Sequence, residues 1–309
     1  MIKREVDFYS INTFIKIFSI VVIYLLFSLL IIGFKTDQLI LSAIFITGYF
    51  TSITGRKFIL AFSIFIVYWI LFDYMKAFPN YEYNKVHILE LYNTEKALFG
   101  IPQNGIKVTP NEYWLSRSSI YLDILSGLFY LCWIPVPLAF ATWLFFKDKA
   151  IFLQFAVSFV LVNMLGFIVY YVYPAAPPWY LDKFGVDFIN NTRGNSAGLQ
   201  RFDDYIGIGI FENLYAKSSN VFAAMPSLHA SYPVVVLYYG IKQRVGWINL
   251  IFTLIMLGIW FAAIYTSHHY VLDVLAGIIC AIITLFIFQK WLLKTAWVKR
   301  FLQFYLSKI

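Results

Sequence analysis

The segment that decides the fold runs from Met225-Pro226-Ser227-Leu228-His229 to Ser267-His268-His269-Tyr270-Val271-Leu272-Asp273. Each of these two runs stands where a long apolar stretch begins, and between them the chain turns at Lys242-Gln243-Arg244. Three of the four histidines of the chain lie in them. Histidine and aspartate are costly beside a bilayer core and are usually kept there for chemistry. The pattern therefore indicates a membrane enzyme that acts on a lipid.

The composition supports a membrane protein, because 61% of the 309 residues are hydrophobic and only 13% are charged. A transmembrane helix needs about 20 mostly apolar residues. We predict an all-α integral membrane protein with about eight transmembrane helices, at about 14–34, 38–54, 58–75, 120–146, 150–173, 226–241, 246–266 and 269–292. The second and sixth are short, which leaves the count open by one. The first run ends at Lys35 without a small-residue cleavage site and is read as a retained helix.

The net charge of +8 would suggest nucleic acid in a soluble protein, but its distribution predicts topology instead. A cytoplasmic N-terminus gives that side 14 basic residues, Lys3 and Arg4 among them, against three acidic ones. This bias matches the positive-inside rule. Both termini are then cytoplasmic, and two loops face outward: the first long loop, about 76–119, and the second long loop, about 174–225. No nucleic-acid partner is predicted.

We predict one polytopic membrane domain over residues 1–309, since no linker or repeat divides the chain. The first long loop carries Tyr81 and Trp114, so it is either a segment lying on the lipid headgroups or an irregular loop. Pro135 and Pro137 lie inside the fourth apolar run and are expected to kink or break it.

The eight-helix topology brings both histidine runs to one face, where they form a candidate catalytic group. His269 and Asp273 are four residues apart at the start of a helix and share one face. A carboxylate on one ring nitrogen orients the imidazole and leaves the other nitrogen free as a nucleophile. His229 can then act as a general acid. The set predicts phosphoryl transfer through a phosphohistidine. The alternative, interfacial residues bonded to backbone or headgroups, is weakened by finding three such residues on one face.

Several nearby residues are candidates for phosphate or substrate binding. Pro226 and Ser227 are expected to begin a helix, with serine as the cap, and helix N-termini attract phosphate, although capping alone also explains them. His268 lacks an aspartate at one-turn spacing and is expected to contact substrate or headgroup only. The second long loop also offers four cations, none of which stands out by spacing: Lys183, Arg193, Arg201 and Lys217.

At these residues the chain resembles a known family. Pro226-Ser227-Leu228-His229 and His269-Tyr270-Val271-Leu272-Asp273 resemble the second and third signatures of the type 2 phosphatidic acid phosphatase superfamily. Three further stretches are similar to its inositol phosphorylceramide synthase branch: Tyr173-Pro174-Ala175-Ala176-Pro177-Pro178-Trp179-Tyr180, Ala197-Gly198-Leu199-Gln200-Arg201-Phe202-Asp203 and Ala224-Met225-Pro226-Ser227-Leu228-His229. The likeness covers about 150–290. It implies a six-helix lipid-phosphatase-like core, about 58–292, preceded by two extra N-terminal helices.

The resemblance implies a transferase that needs no metal or other cofactor. Such an enzyme moves phosphoinositol from phosphatidylinositol, the phospholipid donor, to the primary hydroxyl of a ceramide-type acceptor. His269 would be the nucleophile, Asp273 its orienting carboxylate and His229 the acid and base. Arg201 and Asp203 would be a matched loop pair near the headgroup. A protein partner is left unknown.

The chain also departs from the superfamily pattern. The first signature, K-x6-R-P, is absent, and Ala262-Ala263 stands where Ser-Arg is expected before the third histidine. Lipid phosphatases use those cations to hold phosphate, so the departure disfavours the alternative of a phosphatase acting on a phospholipid monoester. It leaves Arg201, Arg193 or Lys183 to neutralise the phosphate.

A third possibility is a non-catalytic lipid binder or transporter. Such a protein would need charged residues along a pathway through the membrane interior. It is disfavoured because the acidic residues of the spans, Asp73, Asp123 and Asp273, all lie near the predicted outer ends. The predicted topology places the site outside the cytosol. The compact length and short hydrophilic tails favour a bacterial plasma membrane over a Golgi membrane.

Overall fold

The structure is a computed structural model that describes residues 9–217 and 220–309. It is predominantly helical, which confirms the predicted all-α membrane class. Lys3 and Arg4, which entered the predicted charge bias, lie outside the described residues.

Three helices form the N-terminal part: α1 (Ile11–Ile32), α2 (Thr36–Thr51) and α3 (Ile53–Tyr74). Serine side chains cap two of these helices. Ser10 accepts a backbone hydrogen bond at the start of α1, and Ser52 accepts one at the start of α3. The three helices pack together around Ile17, Tyr49 and Ile59.

The first long loop is folded, so the irregular-loop alternative is wrong. It contains α4 (Leu89–Phe99), strands β1 (Ile101–Gln103) and β2 (Ile106–Val108), and α5 (Pro110–Leu115). The strands pair antiparallel, with Gln103 opposite Ile106. Asn104 and Gly105 form the turn between them, with φ of 50° and 81°, as a two-residue hairpin of this hand requires. Thr109 and Glu112 then form a capping box around Pro110 at the start of α5.

The fourth apolar run is broken as predicted, into α6 (Ile120–Leu131) and α7 (Pro135–Lys147). Pro135 is the first residue of α7, where its missing N–H costs no helical hydrogen bond. Asp148 then caps α8 (Lys149–Val172), the longest helix of the described chain, with its carboxylate 3.0 Å from the N of Ala150.

The second long loop carries three short helices: α9 (Pro178–Phe184), α10 (Gln200–Ile206) and α11 (Ile210–Ala216). Before them, Ala175 forms parallel β-bridges with His87 on one side and Ala223 on the other. These bridges join the first long loop, the beginning of the second and the segment that leads to His229.

The last helices are α12 (Leu228–Lys242), α13 (Ile248–Tyr265), α14 (Val271–Lys290) and α15 (Ala296–Leu306). Helix α12 packs against α8, α13 and α14. A Cβ at Gly277 of α14 would collide with the carbonyl oxygen of Ser227, so glycine permits this close approach. Single 3-10 turns lie at Met75–Ala77, Asn80–Glu82, Ala197–Leu199 and Leu292–Lys294.

All eight predicted runs are helical, and six described segments are long and apolar enough to cross a membrane: Ile11–Ile32, Ile53–Ala77, Ile120–Lys147, Lys149–Val172, Ile248–Tyr265 and Val271–Lys294. The remaining two, Thr36–Thr51 and Leu228–Lys242, have 16 and 15 residues. At about 1.5 Å per residue they fall short of a hydrocarbon core of about 30 Å. The count of eight spans stays a prediction, as does the single domain.

Candidate active site

The two histidine runs meet in space, as the topology predicted. His229 lies in the first turn of α12, and His269 lies in the turn just before α14. Nδ1 of His229 is 3.2 Å from Nε2 of His269, a hydrogen-bond distance across 40 residues of sequence. His269 is buried and His229 is partly buried. The site is thus set at the mouths of two adjacent helices.

Asp273 lies on the same face as His269, as the four-residue spacing predicted. Its Oδ2 is 3.6 Å from Nδ1 of His269, which is ion-pair distance but longer than a hydrogen bond. The same oxygen accepts a 2.8 Å hydrogen bond from the N–H of Tyr270. Neither His269 Nδ1 nor Asp273 Oδ1 has another hydrogen-bond partner among the described residues. Both atoms are buried, and a side-chain rotation that brought Oδ1 within hydrogen-bond distance of Nδ1 would satisfy both.

Tyr130 of α6 is a member of the site that the sequence did not indicate. Its hydroxyl lies 3.1 Å from Nδ1 of His229 and 3.4 Å from the hydroxyl of Tyr215. The Trp133 ring also packs against His229, edge-on at 4.5 Å between centroids. Within an apolar run, Tyr130 reads as an ordinary core aromatic, and only its spatial neighbour distinguishes it.

His268 anchors the second long loop. Its Nε2 donates to the carbonyl oxygen of Ser196 at 2.8 Å, and its ring stacks between those of Tyr130 and Tyr215. Burial lowers the pKa of His268 well below its ordinary value, and the nearby His269 adds to this, so the ring is neutral. These contacts support a packing role; contact with substrate stays a prediction.

Ser227 caps α12 as predicted, because its Oγ accepts from the N–H of Ala230 at 3.3 Å. Pro226 precedes the cap and lies outside the helix, so the expectation that it begins α12 is wrong. The Ser227 N–H donates to the carbonyl of Asp273 at 2.9 Å, which ties the start of α12 to α14. Ser227 is fully buried, and a phosphate contact by it stays a prediction.

Arg201 pairs with Asp123 of α6, not with Asp203. Its Nε donates to Asp123 Oδ1 at 2.7 Å, and the Tyr265 hydroxyl donates to the same oxygen at 2.7 Å. The buried Nη2 of Arg201 has no hydrogen-bond partner among the described residues. The guanidinium is therefore fixed in place while one of its donors is unused.

The other predicted loop residues are placed differently. Both carboxylate oxygens of Asp203 accept N–H bonds at the start of α11, from Phe211 at 3.1 Å and Glu212 at 2.8 Å. Asp203 therefore caps a helix, and its expected role beside the headgroup, together with Arg201, stays a prediction. Lys183 and Arg193 are exposed and form no ion pair within the part of the chain that the structure describes. No group of three His, Cys, Asp or Glu side chains in that part is arranged to hold a metal ion.

The first long loop reaches the site through two buried side chains that the sequence did not single out. Nδ2 of Asn111 donates to the carbonyls of His269, at 2.9 Å, and Ile264, at 2.8 Å. Glu95 accepts from the backbone at the start of α14. Their partners lie more than 150 residues away, so no local pattern could have identified them.

Comparison with known proteins gives matches over this region and beyond. The model of the PAP2 superfamily matches residues 104–287. A phosphoinositol dihydroceramide synthase of Bacteroides thetaiotaomicron is 42% identical over 96% of this chain and 97% of its own. The inositol phosphorylceramide synthase catalytic subunit of Saccharomyces cerevisiae is 29% identical over 72% of this chain and 54% of its own. The inositol phosphorylceramide synthase of Candida albicans is 27% identical over 62% and 43%. No solved structure matches significantly.

Proposed function

The chain belongs to the PAP2 superfamily, and on that premise we propose that it transfers phosphoinositol from phosphatidylinositol to the primary hydroxyl of a ceramide. The observation that carries the proposal is the contact between His229 and His269 beside Asp273. It lies in a chain that matches a phosphoinositol dihydroceramide synthase over almost the full length of both proteins. The enzyme is an integral membrane phosphotransferase of lipids.

In the first step, Nε2 of His269 attacks the phosphorus of phosphatidylinositol. The phosphorus–oxygen bond to diacylglycerol breaks, and His229 donates a proton to the leaving oxygen. The product is a phosphoinositol group bound to His269. Asp273 stabilises the positive charge that develops on the His269 ring.

In the second step, the ceramide hydroxyl attacks that phosphorus and the phosphorus–nitrogen bond breaks. His229 accepts the hydroxyl proton, so both histidines return to their starting protonation states. We assign the unpartnered Nη2 donor of Arg201 to the phosphate oxygens, where it replaces the positive charge that Ala262-Ala263 cannot supply. The proposal thus assigns His269 as nucleophile, Asp273 as its orienting group, His229 as acid and base, and Arg201 as phosphate ligand.

We place this site on the extracytoplasmic face of a bacterial plasma membrane. The basic residues concentrated on the opposite side support that orientation. The likeness to a protein of Bacteroides thetaiotaomicron supports the bacterial membrane.

The test is conversion of labelled phosphatidylinositol and ceramide by membranes that contain the protein. We expect a phosphoinositol sphingolipid from wild type, none from His269→Ala, and near wild-type amounts from His87→Gln, which alters the histidine outside the two runs. Unchanged product from His269→Ala would contradict the mechanism. Inorganic phosphate released from a phospholipid monoester without ceramide would identify a phosphatase instead.

A further inference from the structure

The start of α14 is held by a side chain from a distant part of the chain. Glu95, on α4, is fully buried. Its Oε1 accepts from the N–H of Val271 at 2.9 Å, and its Oε2 accepts from the N–H of Leu272 at 3.1 Å. First-turn N–H groups have no partner inside their own helix and carry partial positive charge. Both oxygens of this carboxylate are therefore committed to the helix that carries Asp273.

Asn111 binds the same turn at a second point. Its Nδ2 bonds the carbonyl of His269 itself, and that of Ile264 at the end of α13. The backbone from the His269 carbonyl to the Leu272 N–H is thus bound by two buried side chains of the first long loop. Neither residue lies in the sequence signatures, and Glu95 lies outside the 104–287 region of the family match.

We propose that Glu95 is a positioning residue, assisted by Asn111, that fixes the direction in which His269 presents Nε2 toward His229 and the substrate phosphorus. The inference rests on the proposed function of this site. A displacement of about 1 Å at a reacting group can lower the rate about a hundredfold. The direction of the His269 ring follows its backbone, and Glu95 and Asn111 hold that backbone.

Glu95 caps the first turn of α14 from outside that helix. Within the helix, the side chain of Asp273 bonds only the N–H of Tyr270, at 2.8 Å, so the N–H groups of Val271 and Leu272 depend on Glu95. Burying a second carboxylate beside Asp273 is unfavourable for stability, since a charge loses its hydration there. Glu95 thus lowers stability, yet both of its oxygens bond the turn that carries the nucleophile. An effect on the active site explains this arrangement better than an effect on stability does.

The charges around Glu95 make the contact sensitive to pH. Burial raises the pKa of Glu95 to about 7, and the charge of Asp273 on α14 adds to this. Glu112 on α5 and Asp182 on α9 are further acidic groups whose charges act on Tyr270 as that of Glu95 does, and Lys96, next along α4, donates to the Tyr92 hydroxyl. A protonated carboxyl cannot accept fully from both N–H groups. The contact is therefore complete only above about pH 7.

The experiment compares wild type with Glu95→Gln, Asn111→Leu and a control, Glu90→Gln, which lies on the same helix in an exposed ion pair with Lys85. We expect kcat to fall about tenfold to a hundredfold in the first two variants, with KM for phosphatidylinositol unchanged. The acidic limb of the wild-type pH profile, near pH 7, should be absent from Glu95→Gln. Glu90→Gln should match wild type.

Hydrogen exchange of the peptide that contains Val271 and Leu272 supplies a readout that needs no substrate. We expect faster exchange in Glu95→Gln than in Glu90→Gln, because the glutamine keeps one acceptor oxygen and one of the two amides loses its acceptor. Unchanged exchange, or faster exchange with kcat and pH profile equal to wild type, would overturn the positioning role. Wild type that is inactive on phosphatidylinositol and ceramide would instead remove the proposed function, while exchange still reports whether Glu95 holds the turn.

Discussion

Nδ1 of His229 lies 3.2 Å from Nε2 of His269, so the two imidazoles of the proposed active site share one hydrogen bond. A single proton lies between these two nitrogens, and one of them therefore carries a lone pair. Since Nδ1 of His269 faces Asp273 at 3.6 Å, the tautomer that fits has the His269 proton on Nδ1. Nε2 then keeps its lone pair, as a nucleophile must.

Tyr130 contacts the same nitrogen of His229, and this contact can be tested by removing one oxygen atom. We expect Tyr130→Phe to lower kcat about five- to tenfold, in proportion to one lost hydrogen bond, with KM for both lipids unchanged. Tyr121→Phe is the matched control, because Tyr121 lies on the same helix and is exposed. Steady-state kinetics that do not separate the two variants would remove Tyr130 from the site.

Arg201 is the cation that we assign to phosphate. Lysine lacks the planar fork that allows Arg201 to bond Asp123 and offer a second donor. We therefore expect Arg201→Lys to raise KM for phosphatidylinositol about tenfold, the cost of weakening one charged hydrogen bond. Arg193→Gln and Lys183→Gln, which alter exposed cations of the same loop, should change KM little. A larger rise in either of these two variants would place the phosphate cation elsewhere.

Gly277 controls how closely the helix carrying Asp273 approaches the one carrying His229. In Gly277→Ala the new methyl would meet the Ser227 carbonyl, and neither backbone can yield easily. We expect a loss of about 1–3 kcal/mol in the free energy of unfolding, together with loss of activity. Thermal unfolding in detergent and product formation measure the two effects. Ile279→Ala, a larger change at an exposed position of α14, is the control and should retain activity.

Glu95 should make stability depend on pH. Burial raises its pKa from the ordinary 4.5 to about 7, so the folded protein binds this proton more tightly than the unfolded chain does. The contribution to stability is complete below pH 4.5 and is lost as the pH rises to 7, with an upper limit of about 3 kcal/mol. Wild type should therefore lose stability relative to Glu95→Gln across that interval. A constant difference in unfolding temperature from pH 4.5 to 7.5 would contradict the raised pKa.

The same carboxylate links this prediction to the inference about the active site. Ionised Glu95 holds the turn that carries His269 but lowers the stability of the fold. Protonated Glu95 holds that turn less completely but favours stability. The pH at which the site is best ordered is thus predicted to lie above the pH at which Glu95 favours stability most.

The sequence alone determined features that depend on near neighbours in the chain. The apolar runs predicted the helices because a bilayer fixes the length of a span. Pro135 predicted the break between α6 and α7 because proline lacks an N–H. Four-residue spacing placed His269 and Asp273 on one face because a helix turns every 3.6 residues.

Only the tertiary structure decided which distant side chains complete the site. Tyr130 meets His229 across 99 residues, and Glu95 meets Val271 across 176. The tertiary structure also paired Arg201 with Asp123 and made Asp203 a cap of α11, which no pattern in the sequence had indicated. Helical periodicity relates residues within a few turns, whereas these contacts depend on how separate helices and loops pack. That packing is set by the shape of the whole chain, which no short pattern records.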